Sequence, residues 1–573
     1  MMRSLVWILT PLPCAVLFCL MNAWKPAVTD DYAYLSLALN IQENPAKPFG
    51  PPPDGCRIIW YFHSQGAFTL LSPLVVPYWL AVGTSLFGMD LVALKLWLFP
   101  FCLLFTASLA ALFRRFSPGF EKPLLAVTIL SPAFLPSLNV MIDIPAVALN
   151  LAAVVVFLKA LDGERRRWGM LLLAGVLAGL ASQTKYTGAT SVVLMMGYSI
   201  ARRRSAGLIA SVLAMAIFVG WEAYLAQVYG RSHFLHQLQQ RRQRTPDTGP
   251  VREGSVGEVS ASVVQQLEQV MPLIGIVGGL SPGLIALALT ALGRSRRLVL
   301  GVLGFFIVEF VILAFVPDRG AVFMKAMHLP RDEVSLGTIA MGINGSLFTV
   351  TLLAVSWKLL KRDRRGAAER LLIGWLLVEL AACFLLTTFT AARRVMGILV
   401  VATLLVGRLL AREGDDPNRR RLVFASTLVG LLFGLLYFVT DYRDAQFEKR
   451  AALETIAWIR AQDHPRSQIW FTGHWGFQYY AEQEGARPVE PDDTIIEVGD
   501  WLIVPDSSRP FAQLILLNDA WAERKHTFIW YDEWPFRTIP EFYDGFQPIR
   551  HHEGPRMQVS LYLVRKKTLV PSP

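Results

Sequence analysis

Two aspartates, Asp30 and Asp31, stand side by side in "TDDYAYLSLALN", directly after an apolar run. Further along, Asp143 opens "DIPAVAL" and Lys185 and Tyr186 sit in "QTKYTG". His236, Arg241, Arg242 and Arg244 fall within "FLHQLQQRRQR", and Arg393 and Arg394 within "TAARRVMGIL". A carboxylate can take the proton of an attacking hydroxyl. Cations can hold a phosphate and stabilise it as it leaves. If the two sets meet, the residues suit transfer of a group off a phosphate-linked substrate.

What could bring them together is a membrane. The chain has 573 residues, 53% of them hydrophobic and 17% charged, with a mean hydropathy of +0.41. Runs of near 20 apolar residues recur to about residue 440, long enough to cross a hydrocarbon core of roughly 30 Å. The pattern predicts about thirteen spans, near 4–23, 91–113, 123–141, 144–161, 169–185, 187–201, 205–228, 270–292, 298–316, 341–360, 370–390, 394–411 and 422–440. The first run has no clear small-x-small cleavage site and is read as an uncleaved span. The fold class expected is a polytopic α-helical membrane domain, residues 1–441, followed by a soluble mixed α/β domain, 442–573.

The net charge of +11 does not point to nucleic acid, because the basic residues cluster between apolar runs. Arg114/Arg115, Arg165–Arg167, Arg202–Arg204, Arg294/Arg296/Arg297, Lys361–Arg365 and Arg419–Arg421 each follow an even-numbered span. A cytoplasmic N-terminus makes every cluster cytoplasmic, as the positive-inside rule requires. The first loop, 24–90, and the C-terminal domain then face outward. Counting 71–88, "LSPLVVPYWLAVGTSLFG", as a span would invert the later loops, so it is read as an interfacial or re-entrant helix. The five cysteines show no metal spacing, four of them lie in apolar runs and none is in the tail, which argues against a disulfide framework.

On this topology Asp30, Asp31, Asp143, Lys185, His236, Arg241, Arg393 and Arg394 all fall at the outer level. Ionisable groups at membrane depth are costly and read first as functional. Each also has a structural reading. Asp30 and Asp31 suit the first turn of a helix, and Asp143 suits a helix start with Pro145 close behind. Lys185 can snorkel, and "QQRRQR" reads as a solvated helix face. Arg393 and Arg394 run against the positive-inside trend and call for an anion. A lipid-linked sugar phosphate meets these demands.

These motifs resemble the membrane glycosyltransferases of the GT-C fold, closest to glycosyltransferase family 39, the protein O-mannosyltransferase and lipid A aminoarabinose transferase group. The resemblance covers the membrane domain motif by motif. It implies Asp30 as the catalytic base, with Asp31 in place of the usual Glu, and Asp143 as a second acid opening span four. Lys185, Tyr186, Arg241, Arg393 and Arg394 become donor-phosphate residues, and His236 the ligand of a divalent metal if one is used. The implied donor is a polyprenyl-phosphate sugar and the implied acceptor a lipid, glycan or protein, with membrane lipids around and no nucleic acid. Transfer would proceed by inversion. The chain departs from the family where a Glu-Lys pair precedes the Pro of the juxtamembrane helix, since Leu71 and Ser72 precede Pro73 here. His63 upstream is the substitute the sequence offers for a contact there.

In the tail, "YRDAQFEKRAALETIAWIRAQ" has helical period, "SQIWFTG" and "DWLIVP" read as strands, and "WGFQYYAEQEG" reads as a helix closed by Gly485. His474 and Trp475 fall at the strand-to-helix turn, a place for a ligand or for packing. "HHEG" at 551–554 reads as a surface loop rather than a metal cluster. Two other function classes compete with the glycosyltransferase. A transporter or flippase predicts repeats and mid-membrane ionisable groups, and a non-catalytic receptor leaves Asp30, Asp143 and Lys185 without a shared role.

Overall fold

Proline decides where the apolar runs stop being helix. The computed structural model describes residues 11–60, 63–71, 73–162, 167–243, 270–316, 336–363, 366–387, 390–414, 416–462, 467–490, 493–506, 521–539, 541–544 and 547–570. The N-terminal helix α1 is Pro11–Ala23, followed by α2, Asp31–Glu43. A short hairpin, β1 (Arg57–Trp60) with β2 (His63–Gly66), precedes α3, Val75–Phe87. Next come α4 (Leu91–Trp97), α5 (Phe99–Phe116), α6 (Glu121–Ile129), α7 (Asp143–Leu161), α8 (Trp168–Ser182), α9 (Thr190–Ala201), α10 (Ser205–Tyr229) and α11 (His233–Gln243). The membrane part continues with α12 (Val270–Leu280), α13 (Pro282–Ala291), α14 (Arg296–Phe315), α15 (Leu336–Arg362), α16 (Ala367–Leu386) and α17 (Met396–Arg412). It ends in α18, Pro417–Arg460, which is 44 residues long.

Among the described residues, six helices are long and apolar enough to cross a membrane: α4–α5 taken together, α7, α10, α14, α15 and α18. The pair α12 and α13, bent by 82°, makes up to a seventh. The expectation of about thirteen spans is therefore not met by helices of full length. The span expected at 123–141 is α-helical only to Ile129, because Pro132 and Pro136 cannot continue the ladder. The span expected at 270–292 breaks at Ser281 for the same reason, with Pro282 opening the next helix. The segment 71–88 forms only the 13-residue α3, too short for a crossing. The many exposed leucines, valines and phenylalanines on these helices, Phe315, Val350 and Phe424 among them, are what a lipid-facing surface carries.

The tail expectations of strand and helix hold. Strands β3 (Ile469–Phe471), β4 (Arg487–Pro488), β6 (Trp501–Pro505), β7 (Ala522–Trp530) and β10 (Met557–Val564) make one sheet in the order β4-β3-β6-β10-β7. Strand β3 runs parallel to β4 and β6, while β10 is antiparallel to β6 and β7. Small two-stranded pairings join β5 (Ile495–Ile496) to β11 (Thr568–Leu569) and β8 (Phe536–Arg537) to β9 (Arg550–His551). Helix α19, Trp475–Gln483, follows β3, and Gly485 takes the left-handed φ of +76° just beyond it. The expected domain boundary at 441/442 falls inside α18, which runs through it without a break.

His474 and Trp475 pack on each other at 4.3 Å between ring centroids and are both buried. Trp475 holds a φ of +64°, unusual for a bulky residue. Burial pushes the His474 imidazole down to about 3, from an ordinary value of 6.5. Between those two values the unfolded chain binds the proton and the folded chain does not. Stability therefore falls as pH drops below 6.5, by at most about 1.4 kcal/mol per pH unit. Thermal unfolding of the purified protein from pH 7 to pH 4 should show this slope, and His474→Gln should flatten it. A slope unchanged by the substitution would mean that other groups carry the acid sensitivity. His551 and His552 face separate carbonyls, Leu313 O at 3.0 Å and Pro555 O at 3.2 Å, so "HHEG" gathers no metal cluster among the described residues.

Candidate active site

The two adjacent aspartates go different ways because the backbone turns sharply before them. Thr29 has a φ of +35°, a rare conformation for a side-chain-bearing residue. Asp30 then caps α2 by position only, since its side chain makes no cap hydrogen bond. Its Oδ2 instead accepts from Arg393 Nη1 at 2.5 Å. Asp31 is fully buried, and its Oδ2 accepts from the Val28 N–H at 3.1 Å. Burial pushes Asp31 up to about 6, against the pull of Lys95 and Lys25 and of the Val28 N–H.

A second ion pair lies beside the first. Asp143 begins α7, and its Oδ1 accepts from Lys185 Nζ at 2.6 Å. The same ammonium reaches the Arg393 carbonyl at 3.4 Å. Lys185 is held by the turn Tyr186–Ala189, and Arg393 by the turn Ala392–Arg394 just before α17. Asp143, Lys185, Arg393 and Arg394 line one cleft of about 550 Å³, counted with its open mouth. The cleft continues past Asn150, Trp375, Glu379 and Gly397. Three of the four cations expected to converge thus do so. The fourth, Arg241, lies in α11, whose side chains from residue 241 onward are outside the described set, as is Arg244 entirely.

Two other candidates stand elsewhere. Tyr186 is not on the cleft. Its hydroxyl donates to Glu222 Oε1 at 3.1 Å and faces His233 Nδ1 at 2.5 Å. Glu222 Oε2 in turn accepts from Ser232 Oγ at 2.7 Å and the Phe234 N–H at 2.9 Å, anchoring the start of α11. His236 faces the Thr69 hydroxyl at 3.2 Å and the Phe68 ring. Arg231 is its charged neighbour along with Asp54. An imidazole beside an arginine makes a poor cation site, and no group of three metal-capable residues occurs among the described ones. The His63 side chain lies outside the described set.

Sequence reasoning missed the partners of Asp31. Lys95 is wholly buried in an apolar helix, where it donates to the carbonyls of Lys25 at 2.5 Å and Pro26 at 3.2 Å. Lys25 pairs with Asp441 of α18 at 2.8 Å and also donates to the Pro136 carbonyl. Asp441 further accepts from Tyr543 at 3.0 Å and Thr538 at 3.2 Å. The signal was present: Lys95 interrupts "LVALKLWLF", and a charge inside an apolar run needs a partner. Glu222, Asn150 and Glu379 were overlooked for the same reason.

Residues 72–223, from the start of α3 into α10, match the family model described as dolichyl-phosphate-mannose-protein mannosyltransferase. No curated protein matches the chain. Among solved structures, the chain is similar to the archaeal oligosaccharyltransferase AglB from Archaeoglobus fulgidus in complex with an inhibitory peptide and a dolichol-phosphate. The identity is 12% and the TM-score 0.46, over 88% of this chain and 71% of that one. The Archaeoglobus fulgidus oligosaccharyltransferase in complex with Zn and sulfate gives 12% and 0.45, over 90% and 72%. ArnT from Cupriavidus metallidurans bound to undecaprenyl phosphate gives 16% and 0.41, over 97% and 98%. These are distant likenesses, and the reading of the site rests on its own residues. The family model thus matches residues 72–223 of a chain whose described helices include several long and apolar enough to cross a membrane.

Proposed function

We propose that the chain transfers a sugar from a polyprenyl-phosphate donor to an acceptor on the outer face of the membrane, with Asp30 as general base. The carrying observation is the pairing of Asp30 at 2.5 Å with Arg393, which lines one cleft together with the Asp143–Lys185 pair. Acid and cations that lie hundreds of residues apart are thereby within reach of a single substrate.

In the reaction, the acceptor oxygen attacks the anomeric carbon and Asp30 takes the acceptor proton. The bond between the anomeric carbon and the phosphate oxygen breaks, and the electron pair leaves with the lipid phosphate. Arg393, Arg394 and Lys185 stabilise that phosphate as charge builds on it. One base and one leaving group make a single displacement, which inverts the anomeric centre. Asp143 holds Lys185 in place, and Asp31 holds the turn that aims Asp30. The outward placement, of the site and of the C-terminal α/β region 442–573 alike, is the expectation drawn from the basic clusters on the thirteen-span reading of the sequence.

A direct check is ligand stabilisation. Undecaprenyl phosphate should raise the thermal unfolding temperature of the purified chain, and Lys185→Met should remove most of that rise. A lipid phosphate without effect on the unsubstituted chain would overturn the reading.

A further inference from the structure

The cleft has two chemically different ends. Lys185, Arg393 and Arg394 line it near Asp143, at the start of α7. Asn150 lies seven residues after Asp143 on α7, hence on the same face and about 10 Å deeper. Glu379 lies seven residues before the end of α16, at a matching depth. Both line the cleft, together with Trp375.

The deep end is rich in acceptors. Asn150 donates its Nδ2 to Thr190 Oγ1 at 2.8 Å, but its Oδ1 is buried with no partner. Asn150 as a whole is only 8% exposed. Glu379, equally buried, accepts from Trp375 Nε1 at 2.9 Å. A Cβ on Gly397 would lie 2.2 Å from Glu379 Oε2, so the glycine leaves the space that this carboxylate occupies. Buried acceptors normally find donors. An orphan amide oxygen on a residue that lines the cleft, with a carboxylate on the same lining, asks for a ligand that brings its own donors.

We propose that Asn150, Glu379 and Trp375 form a glycosyl-recognition subsite. The phosphate of the donor lies at the cationic end, and hydroxyl or ammonium groups of its sugar donate to Asn150 Oδ1 and the Glu379 carboxylate. Trp375, itself buried, holds the Glu379 carboxylate in place through its indole N–H. These residues then set which sugar is accepted. The inference rests on the donor class proposed above and adds which part of the cleft reads the sugar.

The test measures binding of bare undecaprenyl phosphate and of three glycosylated forms to the full chain in detergent. The three are a hexosyl, an N-acetylhexosaminyl and an aminopentosyl phosphoundecaprenol. The unsubstituted chain should prefer one glycosylated lipid over the bare lipid by about 10-fold or more, as sites built to bond hydroxyls do. Glu379→Gln and Asn150→Leu should each erase most of that preference, while the affinity for bare undecaprenyl phosphate stays within about twofold. Gly397→Ala, which crowds the carboxylate, should act in the same direction. The subsite is overturned if the preference survives these substitutions. It is equally overturned if the unsubstituted chain shows no preference, or if the variants lose bare and glycosylated lipid alike. If the unsubstituted chain binds neither bare nor glycosylated lipid, the donor class itself fails, and the subsite with it.

Discussion

Asp30→Asn should abolish sugar transfer while leaving the protein folded. The amide keeps the size of the carboxylate and can still accept from Arg393 Nη1, now 2.5 Å from Asp30. It cannot take a proton from an attacking hydroxyl. Loss of a general base typically lowers the rate by about 10²–10⁴-fold. The assay follows a labelled hexosyl-phosphoundecaprenol into the products of membranes that carry the chain. Thermal unfolding and undecaprenyl phosphate binding should stay near those of the unsubstituted chain, which separates lost chemistry from lost folding. Asp31→Asn should act differently, because Asp31 is fully buried and braces the turn at Thr29. Its effect should fall on stability before rate. Full transfer by Asp30→Asn would remove it as the base. Transfer lost only in Asp31→Asn would exchange the two roles.

The largest stability effect is expected at Lys25. Its ammonium and the Asp441 carboxylate are almost entirely shielded from solvent, with side-chain exposures of 0% and 1%. Lys25→Met removes the cation paired with Asp441 and leaves that carboxylate the hydroxyls of Thr538 and Tyr543. Removing one member of a buried pair costs about 3–5 kcal/mol, since the other charge stays behind without its counterion. The purified variant should unfold at a markedly lower temperature or fail to accumulate. Lys25→Met combined with Asp441→Leu should recover part of the loss, because no charge is then stranded. A single variant as stable as the original protein would show that water reaches this pair.

The sequence was most legible where one physical signal dominates. Apolar run length placed α7, α10, α14 and α15, and period plus turn chemistry placed β3, β6 and α19. It was less legible where prolines fall within an apolar run, as at Pro132, Pro136 and Pro282. Hydropathy adds these residues to a span, while the backbone ends the helix. The site was half visible. Asp30, Asp143, Lys185, Arg393 and Arg394 stood out as charges near membrane boundaries. That Asp30 meets Arg393 across 363 positions depends on how helices pack, and no local pattern reports it. Tyr186 shows the opposite case, since adjacency to Lys185 suggested a shared role, yet its hydroxyl turns to Glu222 and His233.

Helix α18 is a mast. Its 44 residues make a rod of about 66 Å at 1.5 Å per residue, roughly twice the hydrocarbon thickness. The lower part is apolar, and the upper part carries Asp441 and Asp444, which grip Thr538, Ile539 and Tyr543. Footing and rigging therefore belong to one piece of backbone, and the segment from Thr538 to Tyr543 is pinned at a set height on it. A covering domain on a flexible tether could swing aside to admit a bulky acceptor. One stepped onto such a mast cannot do so without bending the helix or breaking its buried ion pairs. Under the transfer proposed above, an acceptor would meet a tail held at a fixed distance rather than one that swings away.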